Sequence, residues 1–422
     1  MNILFVIDTL YTSNNGTSIS AQRYAMELRR RGHRVRAICG DRPKTEQDRQ
    51  ITDGDFCTGI FHFPIFQPMC EKHDFYYANA RQEVIEAACL WADVVHVYTP
   101  LFLGNAVITH CQKIGKPVTT AFHIQPENIT SNFGLAKVRP VNDMIYRIFR
   151  HFTYSRIGRI HTPSAFIANE LRQHGYRARM HVISNGIHDA FLQAGAEKIA
   201  ARDQKPETLD PQRPIRVLMI GRLSREKRQD VIIRAMQYSR YADRIQLVFA
   251  GRGPERERYE RLSRGLHYKP EFVYLDREAL IRELLRTDLY IHASDMEIEA
   301  ISCIEAFATG LVPVIANSSN SATPQFALDQ RSLFRAGDAK DLAEHIDYWL
   351  DRPMERMEAE ARYQQAAERY TLSNAVNLFE RMLRAEMVHP YVAKHETHHT
   401  APTLSVLTAL KRQVVRLYRR IA

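Results

Sequence analysis

Residues 3–39, ILFVIDTLYTSNNGTSISAQRYAMELRRRGHRVRAIC, decide the fold class. The run at 3–7 is apolar throughout and too short for a helix, which is typical of a strand buried on both faces of a parallel sheet. Turn-forming residues follow, and a helical pattern over 19–31 ends at Gly32, a common residue just after a helix. A second predicted strand at 35–39, apolar except for Arg36, completes a strand–turn–helix–strand unit, from which parallel sheets are built.

The same unit recurs in the second half of the chain. The polar stretch 194–213, which ends in several prolines, has the composition of a linker. After it a predicted strand at 216–220 restarts the pattern, with a helix predicted at 230–238. Further strands are predicted at 94–97, 118–122, 159–162, 245–250, 289–292 and 312–316. The sequence therefore predicts an α/β protein with two doubly wound domains, whose ligand is expected at the carboxyl ends of strands in the cleft between them.

Composition excludes several other classes of protein. Hydrophobic residues make up 45% and charged residues 25% of the 422 residues, which excludes collagen-like and disordered chains. No apolar run approaches the ~20 residues of a membrane-spanning helix, and the N-terminus lacks the pattern of a signal peptide. Six scattered cysteines without a CxxC pair argue against a zinc or disulfide framework and favour the cytoplasm. The net charge of +10 favours an anionic partner.

The most specific segment is 294–310, SDMEIEAISCIEAFATG, which follows a predicted strand and opens a predicted helix. With Glu297 in the loop and Glu305 in the helix, both carboxylates can face one bound ligand. The helix N-terminus offers free N–H groups and the positive end of the helix dipole, which suit a phosphate. An exposed acidic helix start that only complements the dipole is the alternative, and the spacing alone does not decide between them.

The turn after the strand at 216–220 is the second candidate. Gly221 ends the strand, and Arg222 and Lys227 place two cations where a diphosphate could bind, arginine as a two-pronged donor and lysine as a point charge. A solvated basic turn is the alternative, because other arginines lie nearby.

Taken together, these motifs resemble those of the retaining glycosyltransferases of family 4. They are GRLSREK at 221–227, VFAGRGPE at 248–255, Glu297 followed eight residues later by Glu305, and AFATGLVPVIA at 306–316. The resemblance covers about residues 1–385 and is more specific in the C-terminal half. It implies the GT-B architecture, with two Rossmann-like domains facing across a cleft and a C-terminal helix that crosses back to the first. It also implies a nucleotide sugar as substrate and no obligatory metal or other cofactor.

The sequence pattern and the resemblance together predict five segments. They are an acceptor-binding domain at 1–193, a linker at 194–213, a nucleotide-sugar-binding domain at 214–375, a crossover helix at 376–390 and a basic amphipathic tail at 391–422.

Roles for individual residues follow from the same resemblance. Arg222 and Lys227 would hold the donor diphosphate and stabilise the leaving nucleotide, a form of electrostatic catalysis that can replace a metal. Glu305 would accept hydrogen bonds from the ribose hydroxyls, and Glu297 would contact the donor sugar. Around them, Gly221 and the backbone of the loop would meet the sugar or the phosphates; the loop residues are Ala300, Ile301 and Ser302.

Three positions outside the two motifs also match the family. Gly16 lies at the place of the glycine-rich loop of the first domain, and Asn185 in the turn that leads to the linker. His123 matches the family's active-site histidine near the sugar. A histidine at a strand end is more often structural, but the polar cluster at 125–128 favours a function here.

The chain departs from the family pattern in both loops. Ala300 adds a methyl group where glycine would allow the closest backbone approach. Glu299 is a second carboxylate that could take the place of Glu297 against the sugar. In the first loop, the usual Gly-Gly is Asn15-Gly16. These differences bear on the identity of the donor sugar more than on the class of reaction.

Two basic segments, 137–159 and 404–421, could contact an anionic membrane surface. In the first, arginines alternate with aromatic residues, and a helix packed on its own domain is an equal alternative. The second can form an amphipathic helix with five positive charges and no acidic residue, which favours membrane contact.

Binding to nucleic acid is not expected, since no recognition motif occurs. The histidines at 395, 398 and 399 lack the spacing of a metal site and predict a solvated loop.

The sequence thus predicts a retaining, metal-independent glycosyltransferase. It would move a hexose or N-acetylhexosamine from a nucleoside diphosphate sugar, with UDP favoured over GDP, to a lipid-linked or glycan acceptor in cell-envelope glycolipid or polysaccharide synthesis. The expected location is the cytoplasm, with contact to the inner face of the plasma membrane. A sugar phosphorylase and a nucleotide-sugar epimerase share the architecture and are alternative predictions. A non-catalytic nucleotide- or membrane-binding protein is a further alternative. A nicotinamide dehydrogenase lacks support, because no GxGxxG follows the first strand.

Overall fold

A computed structural model describes residues 1–12, 16–61, 76–131, 135, 138–202 and 213–392. The chain forms two compact units. Unit 1 comprises Met1–Thr162, Ala168–Val182 and the described chain from Leu378 onward, and unit 2 comprises Pro163–Ile167 and Ile183–Asn377.

Unit 1 is built on a parallel sheet. Its strands and those of a small hairpin are β1 (Asn2–Val6), β2 (Arg34–Cys39), β3 (Asp55–Cys57), β4 (Ile60–Phe61), β5 (Tyr77–Ala78), β6 (Val94–Val97), β7 (Val118–Ala121), β8 (Arg159–Thr162) and β9 (Arg179–Val182). The sheet has the order β3-β2-β1-β6-β7-β8-β9, and β4 pairs antiparallel with β5. β1 and β6 lie in the middle and are almost wholly buried, which explains the apolar run at 3–7 and the valine-rich sequence of β6.

The helices of unit 1 follow their strands in alternation. They are α1 (Gly16–Arg30), α2 (Glu46–Arg49), α3 (Gln82–Trp91), α4 (Phe102–Ile114), α5 (Pro126–Ser131) and α6 (Arg139–Phe152), and α7 (Ala165–Gln173) begins in the short segment of unit 2. The end predicted for α1 is confirmed, because Gly32 has a φ of 84° and its N–H donates to the carbonyl of Arg29 at 2.9 Å.

Unit 2 is a second parallel sheet covered by helices. Its strands are β10 (Ile215–Ile220), β11 (Ile245–Ala250), β12 (Glu271–Val273), β13 (Leu289–His292), β14 (Pro313–Asn317) and β15 (Leu333–Arg335), in the order β12-β11-β10-β13-β14-β15. Its helices are α8 (Asp189–Ala200), α9 (Gln229–Ala235), α10 (Arg256–Leu262), α11 (Arg277–Leu285), α12 (Ile301–Ala308), α13 (Ala339–Asp351) and α14 (Pro353–Ala367). The predicted α/β class with two doubly wound sheets is confirmed.

The boundary predicted between the two domains differs from the structure. Residues 194–200 are not linker but the end of α8, and residues 183–193 belong to unit 2 rather than to the first domain. Gly195 shows why, since a Cβ atom added to it would lie 2.0 Å from the carbonyl oxygen of Ala308 in α12. The two helices therefore touch backbone to backbone, although the exposed residues of α8 give its sequence a polar character. Residues 203–212 lie outside the described residues.

The last helix, α15 (Leu372–Val388), joins the units in sequence, and its residues from Leu378 onward belong to unit 1. Phe379 is fully buried there, with its ring centroid 4.7 Å from that of His96 and 5.1 Å from that of Tyr24. Glu386 forms an ion pair with Arg159. The C-terminal helix therefore returns to the first unit, as predicted for the GT-B fold. The predicted tail from residue 393 onward lies outside the described residues.

We predict that Gly195→Ala destabilises unit 2, although alanine normally favours a helix over glycine by about 1 kcal/mol. The added methyl group has no space between α8 and α12, so we expect a loss of about 2–3 kcal/mol in the free energy of unfolding. Urea denaturation measures it, with Gly265→Ala as control, because a Cβ atom at Gly265 meets no atom within 4 Å. Equal stability of the two variants would contradict the packing described.

Candidate functional site

The two sequence motifs of unit 2 meet at one edge of its sheet. β10 and β13 are parallel neighbours, so the loops that follow them leave the sheet side by side. Gly221 and Arg222 begin the first loop, and Lys227 ends its short 3-10 turn. The Lys227 Nζ atom lies 2.5 Å from Glu297 Oε1, with side-chain exposures of 20% and 12%. Two residues 70 positions apart thus form a largely buried ion pair.

Glu297 has a second partner that the sequence did not predict. The Nε2 atom of His292, the last residue of β13, lies 3.0 Å from the same carboxylate oxygen. Burial alone would raise the pKa of Glu297, but the charge of Lys227 and the hydrogen bond from His292 outweigh burial and lower that pKa to about 2. Glu297 is therefore ionised at neutral pH.

Hydrogen bonds behind His292 fix the orientation of its ring. Because a carboxylate only accepts, the Nε2 atom of His292 donates to Glu297, and the Nδ1 atom of a neutral ring accepts from the Tyr290 hydroxyl at 3.0 Å. Ser302 lies next to this hydroxyl, at 3.4 Å, and donates its own proton to the carbonyl of Ile220. The predicted loop residue Ser302 is thus connected to both neighbouring strands, β13 and β10.

Glu299, the rival of Glu297 in the sequence, points to a different part of the unit. Its Oε2 atom accepts from the backbone N–H of Asn185 at 2.9 Å and from the Asn185 side chain at 2.6 Å. Both side chains are buried. The structure therefore separates the two carboxylates: Glu297 lies with Lys227 and His292, whereas Glu299 holds the turn at Asn185.

Ala300 occupies a backbone conformation that favours glycine. Its φ of 73° and ψ of 66° are left-handed, and it is the residue before the first turn of α12. For an alanine this conformation costs roughly 1–2 kcal/mol, so the backbone here has a shape that glycine would adopt without that cost. Ile301 then starts the helix, and Glu305 lies buried within it.

The glycines of the VFAGRGPE motif bring two loops together. A Cβ atom on Gly251 would lie 2.0 Å from the carbonyl oxygen of Gly221, and one on Gly253 would lie 2.2 Å from that of Leu223. The N–H of Leu223 also donates to the carbonyl of Arg252 at 3.0 Å. These glycines allow the loop after β11 to support the loop that carries Arg222.

One exposed feature near this edge was not predicted. The guanidinium carbon of Arg252 lies 4.1 Å from the ring centroid of Tyr274, which directly follows β12 and is 53% exposed. A cation–π pair at the carboxyl edge offers a flat surface for an aromatic ligand.

The structure places two of the predicted site residues, Gly16 and His123, in unit 1. Gly16 is exposed and opens α1. His123 follows β7, is buried, and stacks on the ring of Tyr98 at 5.7 Å, with His161 edge-on at 5.3 Å. Its Nε2 atom has no hydrogen-bond partner in the described part of the chain. Burial, aided by the charge of His161, keeps the pKa of His123 well below its usual range.

No group of three potential metal ligands occurs among the described residues, and the histidines at 395, 398 and 399 lie outside them. Within the same described ranges, no helix is both long and apolar enough to cross a membrane.

Comparison with known proteins shows the family. The glycosyl transferases group 1 model matches residues 201–370, and the glycosyltransferase family 4 model matches residues 14–191. A GDP-mannose-dependent alpha-mannosyltransferase of Mycolicibacterium smegmatis is 25% identical over 319 residues, which are 75% of this chain and 79% of the relative. The chain belongs to the group 1 glycosyltransferases of family 4 type, and it is an enzyme of that class.

Solved structures show the same fold. Anabaena HepE in complex with UDP superimposes with a TM-score of 0.69 at 16% identity, over 91% of this chain and 100% of that one. A sucrose-phosphate synthase from Thermosynechococcus elongatus gives a TM-score of 0.65 at 15% identity, over 92% of this chain and 99% of that one. At these identities the likeness concerns the GT-B fold alone.

The buried histidines of unit 1 predict a loss of stability in acid. The pKa values of His96 and His123 both lie well below the usual value of 6.5, chiefly because of burial. Below pH 6.5 the unfolded chain binds protons that the folded rings do not, so each ring lowers stability as the pH falls. Asp8 acts in the opposite sense, because burial raises its pKa to about 6.

A variant isolates the effect of one ring. Between pH 6.5 and pH 5.5, we expect His123→Phe to lose about 1 kcal/mol less free energy of unfolding than the unmodified protein. Denaturation curves at the two pH values measure this, with the exposed His267→Phe as control. The same pH dependence in all three proteins would show that His123 can be protonated in the folded state.

Proposed function

We propose that the enzyme transfers a hexose or N-acetylhexosamine from a nucleoside diphosphate sugar to a lipid-linked or glycan acceptor, with retention of configuration and without an obligatory metal. The observation that carries the proposal is the Lys227–Glu297 ion pair at the sheet edge that also carries Arg222. It supports a site that keeps a partly buried cation ready for an anionic ligand.

In this proposal, Lys227 and Arg222 take the part that a metal ion plays elsewhere. The donor diphosphate binds against both cations, and Glu297 remains beside the sugar, held by His292. As the bond between the anomeric carbon and the phosphate oxygen breaks, the growing negative charge on the leaving nucleotide is stabilised. The acceptor hydroxyl attacks the same face of the sugar and passes its proton to the leaving phosphate. Glu305 holds the ribose hydroxyls.

For the base we propose UDP ahead of GDP, with the exposed Arg252–Tyr274 pair as its stacking surface. Solved neighbours include complexes with UDP and UDP-glucose, whereas the curated relatives are named for GDP-mannose. Both donors therefore belong in the test. Cell-envelope glycolipid or polysaccharide is the proposed product.

A nucleotide panel tests the proposal. A ligand that binds only the folded state raises its melting temperature, so we expect a shift with UDP, or with GDP, that is the same in EDTA and in magnesium. A shift that requires magnesium would contradict metal independence, and no shift with any nucleotide at millimolar concentration would contradict the donor site. Conversion of the nucleotide sugar without an acceptor would indicate an epimerase instead.

The variant Lys227→Ala tests whether Lys227 contributes to turnover. We expect transfer to fall by about two powers of ten or more, because one preorganised charge opposite the leaving group is lost. The matched control is Lys340→Ala, since Lys340 is an exposed lysine of the same unit. Product formation from the matching sugar nucleotide measures the effect, and unchanged turnover in Lys227→Ala would refute the role assigned to Lys227.

We also propose that the protein contacts an anionic membrane surface through α6. Part of the predicted basic segment is used inside unit 1: Arg150 donates to the carbonyl of His174 at 2.6 Å, Arg156 donates to Gln112, and Tyr146 is buried. Contact with a membrane is supported by an apolar stripe along one face of the helix, whose residues are four positions apart and line a groove of about 440 Å³. The stripe consists of Pro140, Met144, Ile148 and Phe152.

Exposed cations flank this apolar stripe. Arg139 and Arg147 are both exposed on α6, and Arg147 lines the same groove. An apolar stripe with cations beside it is the pattern of a helix that lies in the plane of a membrane surface. The enzyme would then act at the inner face of the plasma membrane.

Vesicle binding tests this contact. In a chain without residues 404–422, so that the other basic segment is absent, we expect Ile148→Asp to lower binding to vesicles containing phosphatidylglycerol about tenfold. The control is Leu90→Asp, because Leu90 is an 82% exposed leucine of the same unit. Equal binding by the two variants would rule out α6 as the contact.

A further inference from the structure

We propose that a cavity in unit 1 binds a phosphate-bearing polyol, such as a sugar phosphate or the headgroup of a phospholipid. The cavity has a volume of about 810 Å³ and lies at the carboxyl ends of β1, β2 and β3. That the polyol carries the acceptor hydroxyl rests on the proposed function, whereas the binding site itself does not.

Three cations line the cavity. Arg81 is paired with Glu83. Among the described residues, Arg42 has only the Cys57 sulfur as a side-chain partner, at 3.5 Å, and Lys44 forms no ion pair. Both Arg42 and Lys44 are exposed at the rim. Two cationic side chains are therefore available to an anion in the cavity.

The carboxylate that lines the cavity, Asp41, does not cancel these charges. It is buried, and its two oxygens accept from the backbone N–H groups of Leu10 at 2.9 Å and of Tyr11 at 2.7 Å. Its charge is therefore matched by peptide dipoles, and its structural effect is to hold the loop after β1 against β2. The charged side chains among the described lining residues are the three cations and this one engaged acid, which favours an anionic ligand.

Buried polar groups keep the cavity walls in place. The Thr9 hydroxyl donates to the carbonyl of Tyr76 at 3.0 Å and accepts from its N–H at 2.9 Å, which ties the loop after β1 to the residue before β5. The Thr58 hydroxyl donates to the carbonyl of Cys39 at 3.2 Å. The walls are thus preformed, which lowers the cost of binding.

The size and lining of the cavity favour a ligand larger than inorganic phosphate. Cavities of roughly 300–1,000 Å³ bind whole small molecules. The Thr9 and Thr58 hydroxyls already donate to backbone carbonyls, and their oxygens can accept hydrogen bonds from ligand hydroxyls. Tyr11 and Tyr76 add ring surfaces that suit the C–H face of a sugar or inositol. A ligand with a phosphate group at the cationic rim and hydroxyl groups inside the cavity is a polyol phosphate.

Calorimetric titration of the full chain tests the site. The soluble probes are myo-inositol 1-phosphate and glucose 6-phosphate, each compared with its uncharged parent, and the membrane probe is phosphatidylinositol in phosphatidylcholine vesicles. We expect at least one phosphate probe to bind ten or more times tighter than its parent. Binding by the soluble compound indicates a sugar phosphate, and binding by the vesicle alone indicates a lipid headgroup.

Variants assign the binding to this cavity. The double variant Arg42→Gln/Lys44→Gln should weaken binding of the phosphate probe about tenfold or more, because two charge-assisted hydrogen bonds are lost. Lys113→Gln, at an exposed lysine of unit 1, should bind as the unmodified protein does. The same comparison in vesicles separates this cavity from the contact through α6.

Two results would overturn the inference: no binding of either soluble phosphate or of phosphatidylinositol vesicles, or binding that the double variant leaves unchanged. Nucleotide binding is measured in the same samples and shows that each variant is folded. Nucleotide binding without polyol phosphate binding refutes this inference alone, whereas the reverse result refutes the donor site alone.

Discussion

The ion pair between Lys227 and Glu297 is the interaction on which the rest of the candidate site depends. A charge removed from water is costly unless it is paired, so each of these largely buried groups requires the other. The backbone reinforces the pair, because the N–H of Asp295 donates to the carbonyl of Glu226 at 2.8 Å. Loops from two neighbouring strands therefore have one mutual arrangement. In the absence of a ligand, Glu297 neutralises the same cation that an incoming diphosphate would contact.

The central strands could be predicted because burial on both faces leaves a continuous apolar sequence, as at 3–7 and 217–220. Short edge strands gave no such signal: β12 and β15 have three residues each and include charged positions. The start of the linker was misplaced because the second half of α8, which is buried only at Gly195, can carry a polar sequence. The extent to which an element is buried thus decided whether it could be predicted from the sequence.

The candidate site shows the same division. Arg222, Lys227, Glu297 and Glu305 could be named from motifs, but the sequence did not distinguish Glu297 from Glu299, because that choice depends on which loop each side chain faces. His292 was hidden at the end of a predicted strand, and only the turn of the chain between residues 292 and 297 brings its ring to Glu297. The cavity with Arg42 and Lys44 was also missed, because its walls come from loops far apart in sequence.

The return of α15 to unit 1 has a consequence for the order in which a ribosome-bound chain can mature. Tyr24 and His96 are synthesised early. Phe379, whose ring packs on both of theirs, leaves the ribosome more than 280 residues after His96. Unit 2 lies entirely between these points. The second unit can therefore finish folding first, while the first waits for the last helix to close its core. Nascent unit 1 is the part that exposes apolar surface longest, and so the part most in need of a chaperone.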